Sequence, residues 1–261
     1  MKLEFEGKVA LLVGAARGIG FAAAKEVSEA GAKVAIADID GDAAQSAAGG
    51  LGGESAGAIG LRADISDLDS VEAMVSETAN KLGPPDIVVV TAAVVDDKLF
   101  IESGPEDWQR MMNICLYGPM NVLSAVLPGM IERQYGRVVC LATDSARVGQ
   151  ARLSYYAAAK AGVIALVKSV AQEVGRNGIT LNVLSPGATN TELRQAREAA
   201  MRAEMGEEKY AARVQKVVRM YPVRRIGEPD DHAGAIAFLV SDRASWITGQ
   251  VVSVNGGFVM P

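Results

Sequence analysis

Seven short apolar runs recur along this sequence, within 8–15, 32–39, 58–65, 85–93, 136–143, 179–186 and 249–257, with helix-prone segments between them. Their hydrophobicity is continuous rather than alternating, which marks strands covered on both faces and therefore a parallel sheet with helices on either side. The intervening segments fit helices at 18–30, stopped by Gly31, at 68–82, stopped by Gly83 and Pro84, and at 155–175, ending near Gly178. Strands alternating with helices in this way build a doubly wound α/β sheet of about seven strands.

With 261 residues, 49% hydrophobic and 22% charged, the chain can bury one large core without disulfides or metals. No proline-rich linker or charge block divides it, so 1–261 reads as a single domain. A net charge of -5 argues against nucleic acid or an anionic membrane as partner. The opening residues have no apolar signal region and no later run approaches the roughly 18 residues of a spanning helix, so a cytoplasmic location is expected. Cys115 and Cys140 read as buried reduced thiols, no metal site is expected, and His232, in a polar stretch, reads as a surface helix residue. The glycine-rich 49–60 reads as a flexible surface connection. The charged, helix-prone 192–221 follows a strand and a Pro-Gly, where such folds bind ligands, and is a candidate substrate lid.

Gly14, Arg17, Gly18, Ile19 and Gly20 directly follow the first strand and open a helix. Glycines there let the backbone turn sharply and approach a pyrophosphate, whose charge rests on the helix amino end. The expected fold is thus Rossmann-type. Asp38 ends the second strand, where a carboxylate accepts hydrogen bonds from the adenosine ribose and repels a 2′-phosphate; this predicts NAD, although a turn aspartate would show the same letters and Arg17 suits either cofactor. Asp64 and Ile65, after the third strand, are placed to meet the adenine, or Asp64 caps the next helix.

Tyr156 and Lys160 are four residues apart, on one face of a helix. A nearby cation stabilises a phenolate, drawing a tyrosine from about 10 toward the range of acid/base work. Tyr155, five residues from Lys160, is rotated off that face.

The glycine motif, Tyr156 with Lys160, Pro186-Gly187 after a strand and the closing ITGQVVSVNGG together resemble the short-chain dehydrogenase/reductase family over nearly the whole chain. The resemblance implies that Tyr156 exchanges a proton with the substrate oxygen, that Lys160 lowers its pKa and holds the nicotinamide ribose, and that hydride moves between substrate carbon and cofactor. It implies Thr143, where the family has serine, as the hydroxyl bonding the reacting oxygen, with Ser145 as the alternative. Pro186, Gly187, Thr189 and Thr191 are implied at the carboxamide, Val90 and Ala92 at the cofactor through their backbone, and a homotetramer as the assembly.

Three departures accompany the resemblance. Val13 replaces a threonine, Val90-Thr91-Ala92-Ala93 replaces Asn-Asn-Ala-Gly, and Cys115 stands at the position of a helix asparagine in a proton relay; Asn113 is about 200° around the helix from it. The first two remove polar braces between central strands, and the third weakens the relay. A nucleotide-binding regulatory or structural subunit is the rival expectation. For substrate, Arg147, Gln150 and Arg152 before Tyr156, with Arg194, Arg197, Arg202, Arg213 and Arg219 in the lid, point to an anionic secondary alcohol or ketone such as a hydroxyacyl-CoA, hydroxy acid or sulfonate; ordinary solvated ion pairs within the lid are the plainer account of its arginines.

Overall fold

The computed structural model describes residues 3–260. All seven apolar runs are strands of one sheet: β1 (Val9–Val13), β2 (Lys33–Asp38), β3 (Ala58–Arg62), β4 (Ile87–Val90), β5 (Gly136–Leu141), β6 (Ile179–Pro186) and β7 (Val251–Val254). The order is β3-β2-β1-β4-β5-β6-β7 and every pairing is parallel. Strand order reverses between β1 and β4, the place where such sheets open a crevice at their carboxyl ends.

The helices are α1 (Gly18–Glu29), α2 (Gly41–Gly50), α3 (Leu68–Lys81), α4 (Pro105–Met112), α5 (Gly118–Arg133), the short α6 (Ser145–Val148), α7 (Ser154–Val174), α8 (Glu192–Met205), α9 (Glu207–Arg219) and α10 (Asp230–Leu239). Alternate strand residues feed two cores. Leu11, Val13, Val88, Val138 and Val183 pack with α3, α5 and α7, whereas Ala10, Leu12, Ile36, Val89 and Leu141 pack with α1, α2 and α10. Each valine, leucine or isoleucine fully withdrawn from water there contributes about 1.5–3 kcal/mol. This two-sided burial is why the strands read as unbroken apolar runs.

Two expectations change here. Residues 49–60 are not a loose connection: they hold the end of α2, a 3-10 turn at Glu54–Ala56 and the start of β3. A Cβ on Gly60 would lie 2.4 Å from the Gln45 backbone, so the glycine is what lets α2 lie on β3. The second concerns α4 and α5, which are joined by a π-turn at Asn113–Tyr117 into one helix, Pro105–Arg133. Polar residues break its apolar letters into short runs, yet its length and composition suffice to cross a membrane. In this fold its inward residues Met111, Val122, Val126 and Met130 are buried in the cores beside the sheet.

Candidate active site

Gly14 leaves β1 with φ +73°, and a Cβ there would meet Ala92 Cα at 2.4 Å. The loop thus presses against the strand end that follows β4 before turning into α1, whose first amides face a cavity of about 620 Å³. Gly18, Ile19, Gly20, Arg17, Asp38, Asp64, Ile65, Ala92, Pro186 and Thr191 line it, and Tyr156 and Lys160 close its far end. Val90 does not. As the last residue of β4 it pairs with Val13 and Cys140, and its side chain belongs to the core.

At the end of the cavity beside β2, Asp38 accepts from Ala16 N and Asp40 N, both at 3.2 Å. Arg17 pairs with Asp40 at 3.0 Å on the cavity wall. Asp64 accepts from the Ser66 amide at 2.9 Å and hydroxyl at 2.7 Å, while the cap of α3 is Asp67. The lost strand braces are partly restored: the Thr91 hydroxyl lies 3.0 Å from Val13 O and 2.8 Å from Gly14 O, tying β4 to the glycine turn.

Tyr156 also lines a second cavity, of about 280 Å³, with Thr143, Ser145, Gln150, Gly187 and Thr189. Thr143 Oγ1 and Ser145 Oγ are 3.1 Å apart, so the two hydroxyls orient each other. Burial raises the Tyr156 phenol well above its usual value; the positive charge opposing this is that of Arg197. Lys160 is buried on the same helix face, and its ammonium donates to Leu141 O at 2.9 Å. Burial lowers the Lys160 pKa. Tyr155 bonds instead to Asp96, at 3.0 Å.

Cys115 is buried in the π-turn and its thiol donates to Val94 O at 3.5 Å. Its neighbour Asn113 accepts from Gln109 on the exposed side. Both cysteines are free and buried, and burial pushes the Cys140 thiol up to about 12.

Of the three residues expected at the substrate, only Gln150 reaches the Tyr156 cavity. Arg147 bonds Ser253 at 2.7 Å and borders a separate hollow near α7 and β7; the turn of α6 carries it outward. Arg152 is held by Asp97 through both its side chain and its carbonyl oxygen. The segment 192–221 supplies Arg194, Arg197, Glu198, Arg213 and Val217 to the wall. Sequence reading missed Asp144, which is 2% exposed and accepts from Ser185 at 2.8 Å and Asn255 at 2.6 Å. It also missed Tyr221, whose hydroxyl accepts from Ala188 N at 2.9 Å. Neither has a local sequence signal, since their partners are far along the chain.

The match to known proteins extends over this whole arrangement. Residues 14–259 fit the family model described as Enoyl-(Acyl carrier protein) reductase. The acetoacetyl-CoA reductase of Synechocystis sp. is 36% identical over 257 residues, covering 98% of each chain. The 3-oxoacyl-(acyl-carrier-protein) reductase FabG of Vibrio cholerae is 35% identical over 258 residues, 99% of this chain and 100% of that one. The chain belongs to the short-chain dehydrogenase/reductase family. A solved short-chain type dehydrogenase/reductase from Mycobacterium marinum superposes with a TM-score of 0.88 at 28% identity, over 99% of this chain and 98% of that one.

Within this short-chain dehydrogenase/reductase, His232 departs from expectation most. It faces inward from α10, 2% exposed, with Nε2 at 2.8 Å from Thr189 Oγ1. Thr189 Oγ1 in turn donates to Gly187 O at 3.0 Å, so Nε2 carries the hydrogen and Nδ1 is a buried acceptor without a partner. The helix phase explains the correction: position 232 falls beside Ala233, Ile236 and Ala237 on the face of α10 turned toward α1 and the sheet. Burial pushes the imidazole from 6.5 down to about 4. A lowered folded-state value means the unfolded chain binds the proton more readily, so stability is present above 6.5 and is lost as pH falls toward 4. The loss expected from this residue is about 3 kcal/mol. Urea unfolding of wild type and His232→Gln from pH 7 to 4 should show a steeper acid decline in the wild type; parallel curves would contradict it.

Proposed function

We propose that this chain is an NAD-dependent oxidoreductase that interconverts a secondary alcohol and a ketone of the 3-hydroxyacyl/3-oxoacyl type. The observation that carries this reading is the position of Tyr156 at the junction of the two cavities, with Lys160 one turn further along the same face of α7. The larger cavity fits a dinucleotide: side-chain-free turns approach it closely at Gly14 and Gly18, and amide groups at the start of α1 can receive a pyrophosphate. Bound there, the cofactor supplies a hydride acceptor or donor.

Tyr156 takes the proton from the alcohol oxygen as hydride leaves the carbon, and returns it in the reverse direction. Thr143, held by Ser145, donates to the same oxygen. Lys160 would hold the nicotinamide ribose, and Thr189 and Thr191 its carboxamide. Asp38, together with the pairing of Arg17 to Asp40, supports NAD: two carboxylates offset the one guanidinium that could receive a 2′-phosphate. The two 3-oxoacyl relatives support the substrate type. A homotetramer is supported by the apolar side chains left exposed on the outer side of the long helix, Tyr117, Met120 and Ile131 among them. A cytoplasmic location accords with the two buried free thiols.

The test is a panel of secondary alcohols and ketones, 3-oxoacyl thioesters included, followed at 340 nm with NAD(H) and with NADP(H). Turnover with NAD(H) is expected; NADH binding without turnover of any member would assign the chain as a nucleotide-binding subunit instead.

A further inference from the structure

Arg197 stands apart from the other lid arginines. It reaches from α8 into the cavity that holds Thr143, Gln150 and Tyr156. Its Nε is 3.0 Å from Asp97 Oδ2 but out of line for a hydrogen bond, and that buried N–H has no partner. Among the described residues neither of its Nη atoms makes a hydrogen bond, so the whole planar fork of five N–H donors is unused.

Its charge is also incompletely offset. Asp97 pairs with Arg152 as well, and Arg152 Nη2 donates to Asp97 O at 2.9 Å. The pattern repeats beside it, where Glu198 is shared by Arg194 at 3.1 Å and Arg213 at 2.9 Å. Four guanidiniums therefore share two carboxylates, and the balance stays positive even when the buried Asp144 is counted. Arg213 hydrogen-bonds Glu198, Arg194 pairs with the same carboxylate, and Arg147 bonds Ser253. Of the three arginines on the cavity wall, Arg197 is the one with a buried N–H left without a partner, and it lies near enough that its charge favours the Tyr156 phenolate.

We propose that Arg197 is the specificity-determining residue of this site and receives a compact oxyanion, the free carboxylate or sulfonate of a short oxo or hydroxy acid, close to the carbon that exchanges hydride. The proposal rests on the hydride-transfer reading above and narrows it: the acyl end is a free acid rather than a carrier thioester. A planar fork matches a carboxylate with two parallel bonds. A cavity of about 280 Å³ lies at the lower edge of the ~300–1,000 Å³ typical of ligand pockets, which suits a short acid. The anion replaces Asp97 at the fork, and Asp97 keeps Arg152.

The experiment compares four carbonyl compounds that share one acetonyl group, with NADH: acetoacetate, acetonylsulfonate, methyl acetoacetate and acetoacetyl-CoA. Alongside, calorimetry measures 3-hydroxybutyrate binding to the NADH complex, a pair that cannot react. In the wild type the acids are expected to exceed the neutral ester in kcat/KM, and the ratio of carboxylate to sulfonate identifies which anion the site takes. Arg197→Met should lower the acid-to-ester ratio about 100-fold, chiefly through KM, and weaken 3-hydroxybutyrate binding similarly; Arg197→Lys, which keeps charge without the fork, should lose about 10-fold. Retained NADH binding verifies that each variant is folded. Wild-type preference for ester or thioester, or an Arg197→Met variant that keeps the acid-to-ester ratio, overturns the proposal. No NADH oxidation with any compound, beside 3-hydroxybutyrate binding that depends on Arg197, sinks hydride transfer but supports the anion site.

Discussion

Tyr156→Phe is expected to lower kcat/KM of the best alcohol–ketone pair by about 10³-fold, within the 10²–10⁴ that a positioned acid/base group supplies. The substitution removes one oxygen and almost no volume, so NADH affinity and unfolding midpoint should stay near wild type. The effect is large because nothing nearby can take over. Tyr155 is bonded to Asp96, Lys160 donates to Leu141 O, and Cys115 donates to Val94 O. Thr143 bonds Ser145 and can stabilise the reacting oxygen, but an aliphatic hydroxyl is a far weaker acid than a phenol and does not replace it as proton donor and acceptor. Kinetics with NADH and the best ketone decide the matter: a loss below about 10-fold would remove Tyr156 from the acid/base role.

Asp38→Asn is expected to shift the cofactor ratio. In the wild type kcat/KM with NAD should exceed that with NADP by about 100-fold or more, since like charges about 4 Å apart in a partly shielded site repel by about 4 kcal/mol per unit of charge and solvent at the half-buried Asp38 reduces this. Asparagine keeps one oxygen, which can accept from Ala16 N and so retains one of the two loop bonds, while removing the charge. The ratio should fall by at least about 10-fold, the worth of roughly 1.4 kcal/mol. Asp40 limits the reversal, because its pairing with Arg17 leaves a second carboxylate at the same rim. A wild type that prefers NADP would refute the reading of Asp38.

Much of this molecule was legible in its letters because the relevant physics is local. The β6 run 179–186 is the strand Ile179–Pro186, and α1, α3 and α7 fall within a residue of their expected ends. Two-sided burial writes itself as unbroken apolar runs, and Gly31, Gly83 and Gly178 adopt positive φ where the helical segments give way to strands. The glycine turn and the Tyr156–Lys160 pair were likewise visible, since each depends on spacing within one turn or one helix. Arg147 and Gln150 show where that legibility stops. Three residues apart in one loop, they read alike, yet the short α6 carries Arg147 to Ser253 and leaves Gln150 at the cavity.

The sequence by itself determined the parallel sheet, the dinucleotide turn and the face of α7 that carries Tyr156 and Lys160. The tertiary structure alone decided that His232 is buried against Thr189 rather than solvated, that Thr91 braces the glycine turn, that Val90 belongs to the core, and that Arg197 rather than Arg147 or Arg152 faces the reacting end. The physical reason is range. Periodicity and turn chemistry act over a few residues, whereas the partners of Arg197 and His232 come from segments dozens to a hundred positions away, and only the placing of α8 at the cavity wall and the packing of α10 against the sheet bring them together.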